Sequence, residues 1–237
     1  NSTPNTQGRS DMKNLRRLIR KIILEGPVKD EFDEAWFGNI EDITVSNDGT
    51  ALYVLDQNSI RKITDLSGDG SVTTISGQWD WDYKDGTLSQ ARFEGPQGID
   101  MDSNGNLWVR QYGKLRKVDL SGDSVTTVIS NMPWGSGDLT IDSSNNIYFS
   151  DRNEARLYKY SITDGDLYTL IDSSNDRGTV DGISKDAKIE RPTQLLATSS
   201  ALYFTINTFQ KKTLSKILKQ KMKKLFPLKK KIKKKKK

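Results

Sequence analysis

Carboxylates are the residues of this chain with the greatest capacity for chemistry, and they occur in three clusters. The clusters are DEFDE (30–34), DWDYKD (80–85) and DGDLYTLIDSSNDRGTVDG (164–182). Two carboxylates that converge can act as general acid and base, and several together can bind Ca²⁺. None of the clusters has the D-x-D-x-D-G…E spacing of an EF-hand loop. Because Asp is also frequent in turns, we expect these residues to serve turns, and we assign no catalytic residue and no metal ligand.

The 237 residues include no histidine and no cysteine. This composition excludes Ser-His-Asp and Cys-His nucleophiles, and it excludes zinc sites that depend on imidazole or thiolate ligands. Carboxylates, Lys, Tyr and hydroxyl groups are what remains for catalysis. We therefore expect a protein that is not an enzyme, with no cofactor, and carboxylates and carbonyls remain as ligands for a hard ion such as calcium.

Aromatic residues give a sharper candidate site than the carboxylates do. The segment GQWDWDYKDG (77–86) places two Trp and one Tyr at alternating positions with Asp between them, and MPWGSG (132–137) adds another Trp. Large aromatic side chains in a connection are typical of partner-binding hot spots. The alternative is that some of these rings pack over the edge of a sheet. The candidate partner-binding residues are Trp79, Asp80, Trp81, Tyr83 and Trp134.

The net charge of +6 is a property of one end of the chain. Residues 210–237 contain 15 Lys and no acid, which leaves 22 basic and 31 acidic residues elsewhere, a net charge of −9. Such a body is poorly suited to nucleic acid, since phosphate binding needs clustered Lys and Arg. We expect residues 218–237 to be a disordered tail. The abrupt loss of acids favours a translated A-rich segment beyond a broken reading frame, and the alternative is a tail that binds anionic surfaces non-specifically.

Residues 1–26 form a separate N-terminal segment in this prediction. Within MKNLRRLIRKIILEG (12–26), apolar residues recur at helical spacing with Arg and Lys between them. IRKI also recurs at 60–63 as part of a predicted strand, which favours the closing strand of a sheet. The alternatives are a capping helix that packs on the body, or a basic amphipathic helix that binds a membrane or a partner. No apolar segment approaches the length of a transmembrane helix.

The elements that must position the candidate residues repeat along the chain. DLSGDGSVTTISG (65–77) and DLSGDSVTTVIS (119–130) are nearly the same segment, and the repeat extends outward from both. Each unit of about 42–54 residues contains four short strands separated by turn signals. The second strand of each unit is apolar on both faces, whereas the fourth is rich in Ser and Thr. The predicted strands are 42–46, 51–56, 59–64, 71–77, 98–102, 106–110, 114–120, 124–130, 138–142, 146–151, 155–161, 166–172, 192–198, 201–205 and, less regularly, 213–217.

This pattern predicts an all-β fold, a β-propeller of four-stranded antiparallel blades. Three blades are complete and a fourth is partial. The blades span residues 27–217. Because no single blade can cover both of its faces, the blades require each other for stability.

DGTLSQARFEGPQGIDMDSNGNLWVRQYGKLRKVDLSGDSVTTVIS (85–130) resembles the NHL repeat, whose pattern is roughly DG…ARF..P.GI.VD..GNLYVAD…IRKV…G.VTTLAG. The resemblance extends more loosely over residues 22–217. It implies a propeller of the six-bladed type, of which this chain holds part. The matching positions are Asp85, Gly86, Ala91, Arg92, Phe93, Pro96, Gly98, Ile99, Asp102, Gly105, Asn106, Leu107, Val109, Arg116, Lys117, Val118, Val125, Thr126 and Thr127.

The chain departs from the NHL pattern at two kinds of position. After the second strand the family prefers Asp, which Asp56 and Asp151 provide, whereas Gln111 and Ile206 do not. The third unit also replaces the Arg-Phe linker with NMPWGSGD (131–138).

Three functions are compatible with the resemblance. We expect a non-catalytic scaffold that binds a protein partner through the loops between blades. One alternative is a fragment of a metal-dependent hydrolase similar to lactonases and strictosidine synthases, which would need carboxylates at the central channel. The other is an RNA-binding NHL domain, against which the acidic body argues.

Overall fold

The computed structural model describes residues 37–65, 71–78, 80–182 and 186–206, and within them it contains three four-stranded antiparallel sheets and one two-stranded sheet. Blade 1 comprises β1 (Ile40–Val45), β2 (Leu52–Asp56), β3 (Ser59–Thr64) and β4 (Ser71–Gly77). Blade 2 comprises β5 (Gly98–Met101), β6 (Leu107–Gln111), β7 (Lys114–Asp119) and β8 (Ser124–Ile129). Blade 3 comprises β9 (Leu139–Ile141), β10 (Asn146–Asp151), β11 (Arg156–Ser161) and β12 (Leu167–Asp172), and blade 4 comprises β13 (Pro192–Ala197) and β14 (Leu202–Ile206).

The strands follow one another in space in the order of the sequence, as expected for propeller blades. Each of the fourteen lies at its predicted place, with ends that differ by at most two residues. The segment 213–217, the N-terminal segment 1–26 and the tail 218–237 lie outside the described residues. The all-β propeller architecture predicted from the repeat is therefore confirmed for the part of the chain that the structure describes.

Burial within each blade follows the order of its strands. All five residues of β2 and all five of β6 are buried, whereas the residues of β4, β8 and β12 are mostly half-buried or exposed. A strand that is buried on both faces must be covered by neighbouring blades, and this explains why it is apolar throughout. The Ser- and Thr-rich fourth strands form the solvated outer edge, as the sequence predicts.

Hydrophobic cores lie between blades. One core joins Leu55 and Ile60 of blade 1 to Phe93 and Ile99 of the next unit. A second contains Trp108, Leu115, Leu139, Ile147 and Phe149 from blades 2 and 3, and a third joins Leu157 to Ile189 and Leu195. Since these cores need side chains from two neighbours, an isolated blade would leave much of its apolar surface in water.

The innermost strands are joined by a carboxylate that recurs at each junction. Asp42 of β1 accepts a 3.0 Å hydrogen bond from the backbone N–H of Ile99 in β5. Asp138, directly before β9, likewise accepts one of 2.8 Å from the N–H of Leu195 in β13. Buried backbone donors at the edge of a sheet need a partner, and these side chains supply it across the gap between blades. We call these contacts the junction hydrogen bonds.

A second recurring carboxylate shapes the hairpin between the first two strands of a blade. Asp102 accepts hydrogen bonds from the N–H of Asn106 at 3.0 Å and from the Trp108 indole at 2.8 Å. Asp142 makes the equivalent bonds to Asn146 at 2.9 Å and to the Tyr148 hydroxyl at 3.1 Å. This environment lowers the pKa of Asp142 through its hydrogen bonds, against the opposing effect of burial, and raises the pKa of Tyr148 to about 12, chiefly by desolvation.

The series of sheets ends at β14 in the described region. The second strand of a complete blade is buried, but here Tyr203 is 57% exposed and Phe204 is 36% exposed. The described sheets form an open array and do not close into a ring. Within this region we find no helix of the length and apolar character needed to cross a membrane.

Candidate partner-binding face

The connections between blades and the hairpins between second and third strands lie at one end of the sheets. Gln97, just before β5, donates its N–H to the carbonyl of Arg110 at 2.8 Å, so the connection enters beside the end of β6. Arg152 donates its N–H to Ser136 in the equivalent place of blade 3, also at 2.8 Å. We call this surface the connection end. The four described candidate residues, Asp80, Trp81, Tyr83 and Trp134, belong to its connections.

Tyr83 is packed against blade 2. Its ring lies 4.3 Å from Lys114 Nζ and 5.1 Å from the centre of the Arg116 guanidinium, measured to the ring centroid. Its hydroxyl is 2.9 Å from the hydroxyl of Thr127 on β8. Tyr83 keeps 36% of its surface exposed, so it supports the connection and presents one edge to solvent. The alternative of a ring packed over a sheet edge therefore applies to this residue.

Trp81 and Trp134 are exposed to a much greater degree. Trp81 is 71% exposed and Trp134 is 72% exposed. A Cβ placed at Gly113 would lie 3.5 Å from the Trp134 ring, so this ring lies against the hairpin that separates β6 from β7. Lys114 follows in the same hairpin and covers Tyr83, so Tyr83 and Trp134 flank one hairpin.

The other two candidates contribute less. Asp80 is exposed, and its backbone carbonyl accepts a 3.4 Å hydrogen bond from the Asn58 side chain in the hairpin of blade 1. Trp79 lies outside the described residues. We define the aromatic face as Trp81, Tyr83 and Trp134. The sequence predicts these three aromatic residues as candidates. It does not predict that Tyr83 and Trp134 flank one hairpin.

A buried arginine organises the connection that carries Tyr83. Arg116 is fully buried and donates to Asp85 and to the carbonyl of Lys84, both at 2.8 Å, while Phe93 lies 4.7 Å from it. Asp85 in turn accepts the N–H of Thr127 at 2.8 Å. Burial lowers the pKa of Arg116, and the charge of Asp85 opposes that shift.

Position 111 shows how the chain accommodates its departure from the NHL pattern. In blade 1 the corresponding Asp56 pairs with Arg61 at 3.3 Å. In blade 2 the amide oxygen of Gln111 accepts from Arg116 at 3.1 Å. The amide keeps the contact but carries no charge, so Asp85 of the connection supplies the charge that balances Arg116.

Arg110 is a second buried cation, and it lies between blades 2 and 3. Its guanidinium donates to the Gln97 side chain at 2.6 Å and to the carbonyls of Gly135 and Gly137. Desolvation lowers the pKa of Arg110 to about 10, while the charges of Asp151 and Asp138 oppose the shift. Arg110 therefore ties the Trp134 connection to blade 2. Its charge within the apolar run LWVRQ (107–111) was the available signal in the sequence.

Among the described residues, the carboxylate clusters form no group of three or more acidic side chains that could hold a metal ion. In the second cluster, Asp82 accepts the N–H of Tyr83 and Asp85 binds Arg116. In the third, Asp164 and Asp172 accept from Ser161 and Ser174 in turns. The first cluster, 30–34, lies outside the described residues.

The connection end also carries an open depression of about 460 Å³ that the sequence did not indicate. The residues that line it come from the β10–β11 hairpin and from the connection between β12 and β13. They are Arg152, Asn153, Arg177 and Arg191. Spacings of 14 to 25 residues separate the three arginines, so no local pattern predicted their proximity. We call this feature the arginine pocket.

The sheet order, the cores between blades and the placement of the connections define a β-propeller-type protein. No family model and no curated protein sequence matches the chain. Among solved structures it is similar to an auxiliary nutrient-binding protein from Bacteroides thetaiotaomicron VPI-5482, with 15% identity and a TM-score of 0.56, over 73% of this chain and 43% of that chain. An auxiliary nutrient-binding protein from Bacteroides ovatus ATCC 8483 shows 16% identity and a TM-score of 0.55, over 71% and 42%.

A nidogen–laminin complex is similar as well, with 16% identity and a TM-score of 0.52, over 72% of this chain and 56% of the matching chain. Similarity at this level of identity shows the fold alone. This chain spans between about two fifths and just over half of the length of these three proteins.

Proposed function

We propose that this chain is part of a non-catalytic NHL-type propeller that binds a protein partner through the aromatic face. The observation that carries the proposal is the exposure of Trp81 and Trp134, at 71% and 72%. Burying a large aromatic side chain on binding removes 150–250 Å² of apolar surface from water, on the order of several kcal/mol. Neither ring is needed to fill a core, and both lie in connections at the same end.

The support around the aromatic face also favours binding. Tyr83 and the Gly113 hairpin are held by the buried Arg116, and the Trp134 connection is held by the buried Arg110. A surface whose aromatic groups are fixed before binding loses less conformational entropy when a partner docks. Exposed rings on a rigid support are therefore suited to a hot spot.

Two further observations are compatible with this role. The NHL motif residues Ala91 and Phe93 are buried while Asp85 binds Arg116, which fits a structural motif that fixes each connection. Similar folds occur in auxiliary nutrient-binding proteins and in a nidogen–laminin complex, which fits a binding role. The proposed role requires no cofactor.

The hydrolase alternative would need carboxylates free to reach an ion at the innermost strands. Four carboxylates lie on the described inner strands β1 and β5 or directly before β9. Asp42, Asp100 and Asp138 each accept a backbone N–H of the next blade. Glu41 accepts a hydrogen bond from the Asn39 side chain, and burial raises its pKa. A carboxylate engaged in this way is less available for a metal. We therefore prefer the binding role.

The proposal is tested by comparing partners captured by the full chain, by the double variant Trp81→Ala/Trp134→Ala, and by Tyr203→Ala. Tyr203 is a matched control because it is 57% exposed on β14, away from the aromatic face. We expect a partner that is retained by the wild type and by Tyr203→Ala and lost from the double variant. Each protein is checked by circular dichroism. Identical partner sets for all three proteins would contradict the proposal.

A further inference from the structure

The arginine pocket is a concentration of positive charge on a body that is acidic overall. Residues 1–209 carry 22 basic and 31 acidic residues, yet three arginines line one depression of about 460 Å³. Arg152 is half-buried, whereas Arg177 and Arg191 are exposed. Arg152 lies in the β10–β11 hairpin, whereas Arg177 and Arg191 lie 14 residues apart in the connection between β12 and β13, so the fold and not local sequence brings the three together.

The pocket arginines are not neutralised by the carboxylates around them. Within the described residues, no ion pair up to 4.0 Å involves any of the three. Two acids near the pocket pair with other cations: Asp172 with Arg156 at 2.9 Å, and Asp176 with Lys188. The guanidinium charges of the pocket are therefore not paired with a carboxylate of the described residues.

Asp151 is another acid near the pocket that forms no ion pair with a pocket arginine. It is fully buried directly before Arg152, and its Oδ1 accepts the N–H groups of Asn153 and Glu154, both at 2.8 Å. These two bonds shape the hairpin that presents Arg152 to the pocket. The carboxylate thus serves the backbone, and the guanidinium of Arg152 remains available to a ligand.

The backbone around the pocket is constrained. The N–H of Arg152 donates to Ser136 at 2.8 Å, and the Arg177 guanidinium donates to the carbonyl of Asn153. Arg191 has a φ of 42°, in the left-handed region that non-glycine residues rarely adopt. A strained backbone that holds a charged side chain at a pocket is a frequent feature of ligand sites.

From this arrangement we propose that the arginine pocket binds a small organic polyanion, a molecule with two or more carboxylate or phosphate groups. Guanidinium groups bind both oxyanions through paired N–H donors. A volume of about 460 Å³ lies within the range of small-molecule sites, and a depression lined by one sign of charge concentrates counter-ions. This proposal is independent of the aromatic face and of its partner.

The test is isothermal titration of the full chain with pyrophosphate and, separately, with citrate, at low and at moderate ionic strength. We expect saturable one-to-one binding of at least one probe, about tenfold tighter than acetate, since several guanidinium groups act on a polyvalent anion. Tighter pyrophosphate binding would assign a phosphorylated ligand, and tighter citrate binding a polycarboxylate. No saturable binding of either probe overturns the proposal.

The Lys-rich tail is a competing anion site, and variants separate the two. Arg177→Gln and Arg191→Asn each remove one charge at an exposed position, and Asn tolerates the positive φ of residue 191. We expect each to weaken binding about three- to tenfold. Lys159→Gln, the same charge change on β11 outside the pocket, should leave the affinity within twofold. Equal binding by the wild type and the three variants would place the anion on the tail and overturn the proposal.

Discussion

Asp100 joins blade 2 to blade 3 through the backbone of Ile141. The Oδ2 atom of Asp100 accepts the N–H of Ile141 at 2.9 Å, and its Oδ1 atom accepts the hydroxyl of Thr44 at 2.7 Å. A single carboxylate on β5 thus contacts the innermost strands of both neighbouring blades. It is the middle member of the junction hydrogen bonds, between those of Asp42 and Asp138.

Replacing Asp100 with Ala should lower the free energy of unfolding by about 3 kcal/mol, because it leaves the buried N–H of Ile141 without its acceptor and removes charge-assisted hydrogen bonds. Urea denaturation of the full chain measures this change. Asp100→Asn keeps one acceptor oxygen and should cost less. Asp186→Ala, at an exposed position, is the control and should change little. A loss at Asp100 no greater than that at Asp186 would show that the junction hydrogen bonds do not stabilise the array.

Gly98→Ala should destabilise the junction of blades 2 and 3 by about 1–3 kcal/mol, since overpacking forces backbone shifts. A Cβ at residue 98 would lie 2.7 Å from the backbone nitrogen of Leu139, which cannot move without shifting β9. The control is Gly178→Ala, whose added Cβ would approach no atom closer than 3.8 Å. Thermal unfolding of both variants distinguishes the two sites, and equal melting temperatures would contradict the close approach of the blades.

Tyr83 and Trp81 should respond differently to the same substitution. Tyr83→Ala removes the ring beside Lys114 and Arg116 and should cost about 1–2 kcal/mol of stability. Trp81→Ala removes a ring that is 71% exposed and should cost about 0.5 kcal/mol or less. Chemical denaturation of the two variants gives the comparison. A larger loss at Trp81 would mean that this ring supports the fold and is not a free contact residue.

The ion pair of Arg156 and Asp172 should make stability depend on pH in the acidic range. The largest effect on Asp172 is the hydrogen bond from the Arg156 guanidinium, and the next are the hydrogen bonds from Ser174. Together they lower the pKa of Asp172 from 3.8 to about 2. A lowered pKa in the folded state means that the contribution is present above about pH 4. It is lost as the pH falls towards 2.

The measurement is the urea midpoint of wild type and of Asp172→Asn between pH 2 and pH 6. We expect the difference between them to be largest above pH 4 and to shrink towards zero near pH 2. Salt should reduce it, because both side chains are partly exposed. Asp186→Asn serves as the charge-matched control and should show no such trend. If the difference in urea midpoint stayed constant from pH 2 to pH 6, Asp172 would not contribute to the pH dependence of stability.

The strand pattern was predictable because each strand has a local signal. Apolar runs such as LWVRQ (107–111) and Ser/Thr-rich segments such as SVTTVI (124–129) have a composition that matches their burial. Asp-Gly and Asn-Gly turns mark the ends of the strands. The period of these signals then predicts the blade, and the blade predicts that cores lie between neighbours.

The contacts across blades were not predictable in the same way. Asp42 and Ile99 are 57 residues apart, and nothing near either residue indicates the other. Likewise, Tyr83 and Trp134 were predicted as separate exposed aromatics, but their meeting at the hairpin of Gly113 depends on the positions of two connections. Sequence patterns describe each element well, whereas a site made from several connections requires the packing of the elements.

The junction hydrogen bonds also have a direction along the chain. In each one the accepting carboxylate, from Asp42, Asp100 or Asp138, belongs to the earlier blade, and the backbone donor belongs to the later one. During synthesis, an earlier blade would therefore present its acceptor before the next inner strand leaves the ribosome. Each arriving strand could dock as soon as it is made, so that assembly from the N-terminal side would need no rearrangement of finished blades.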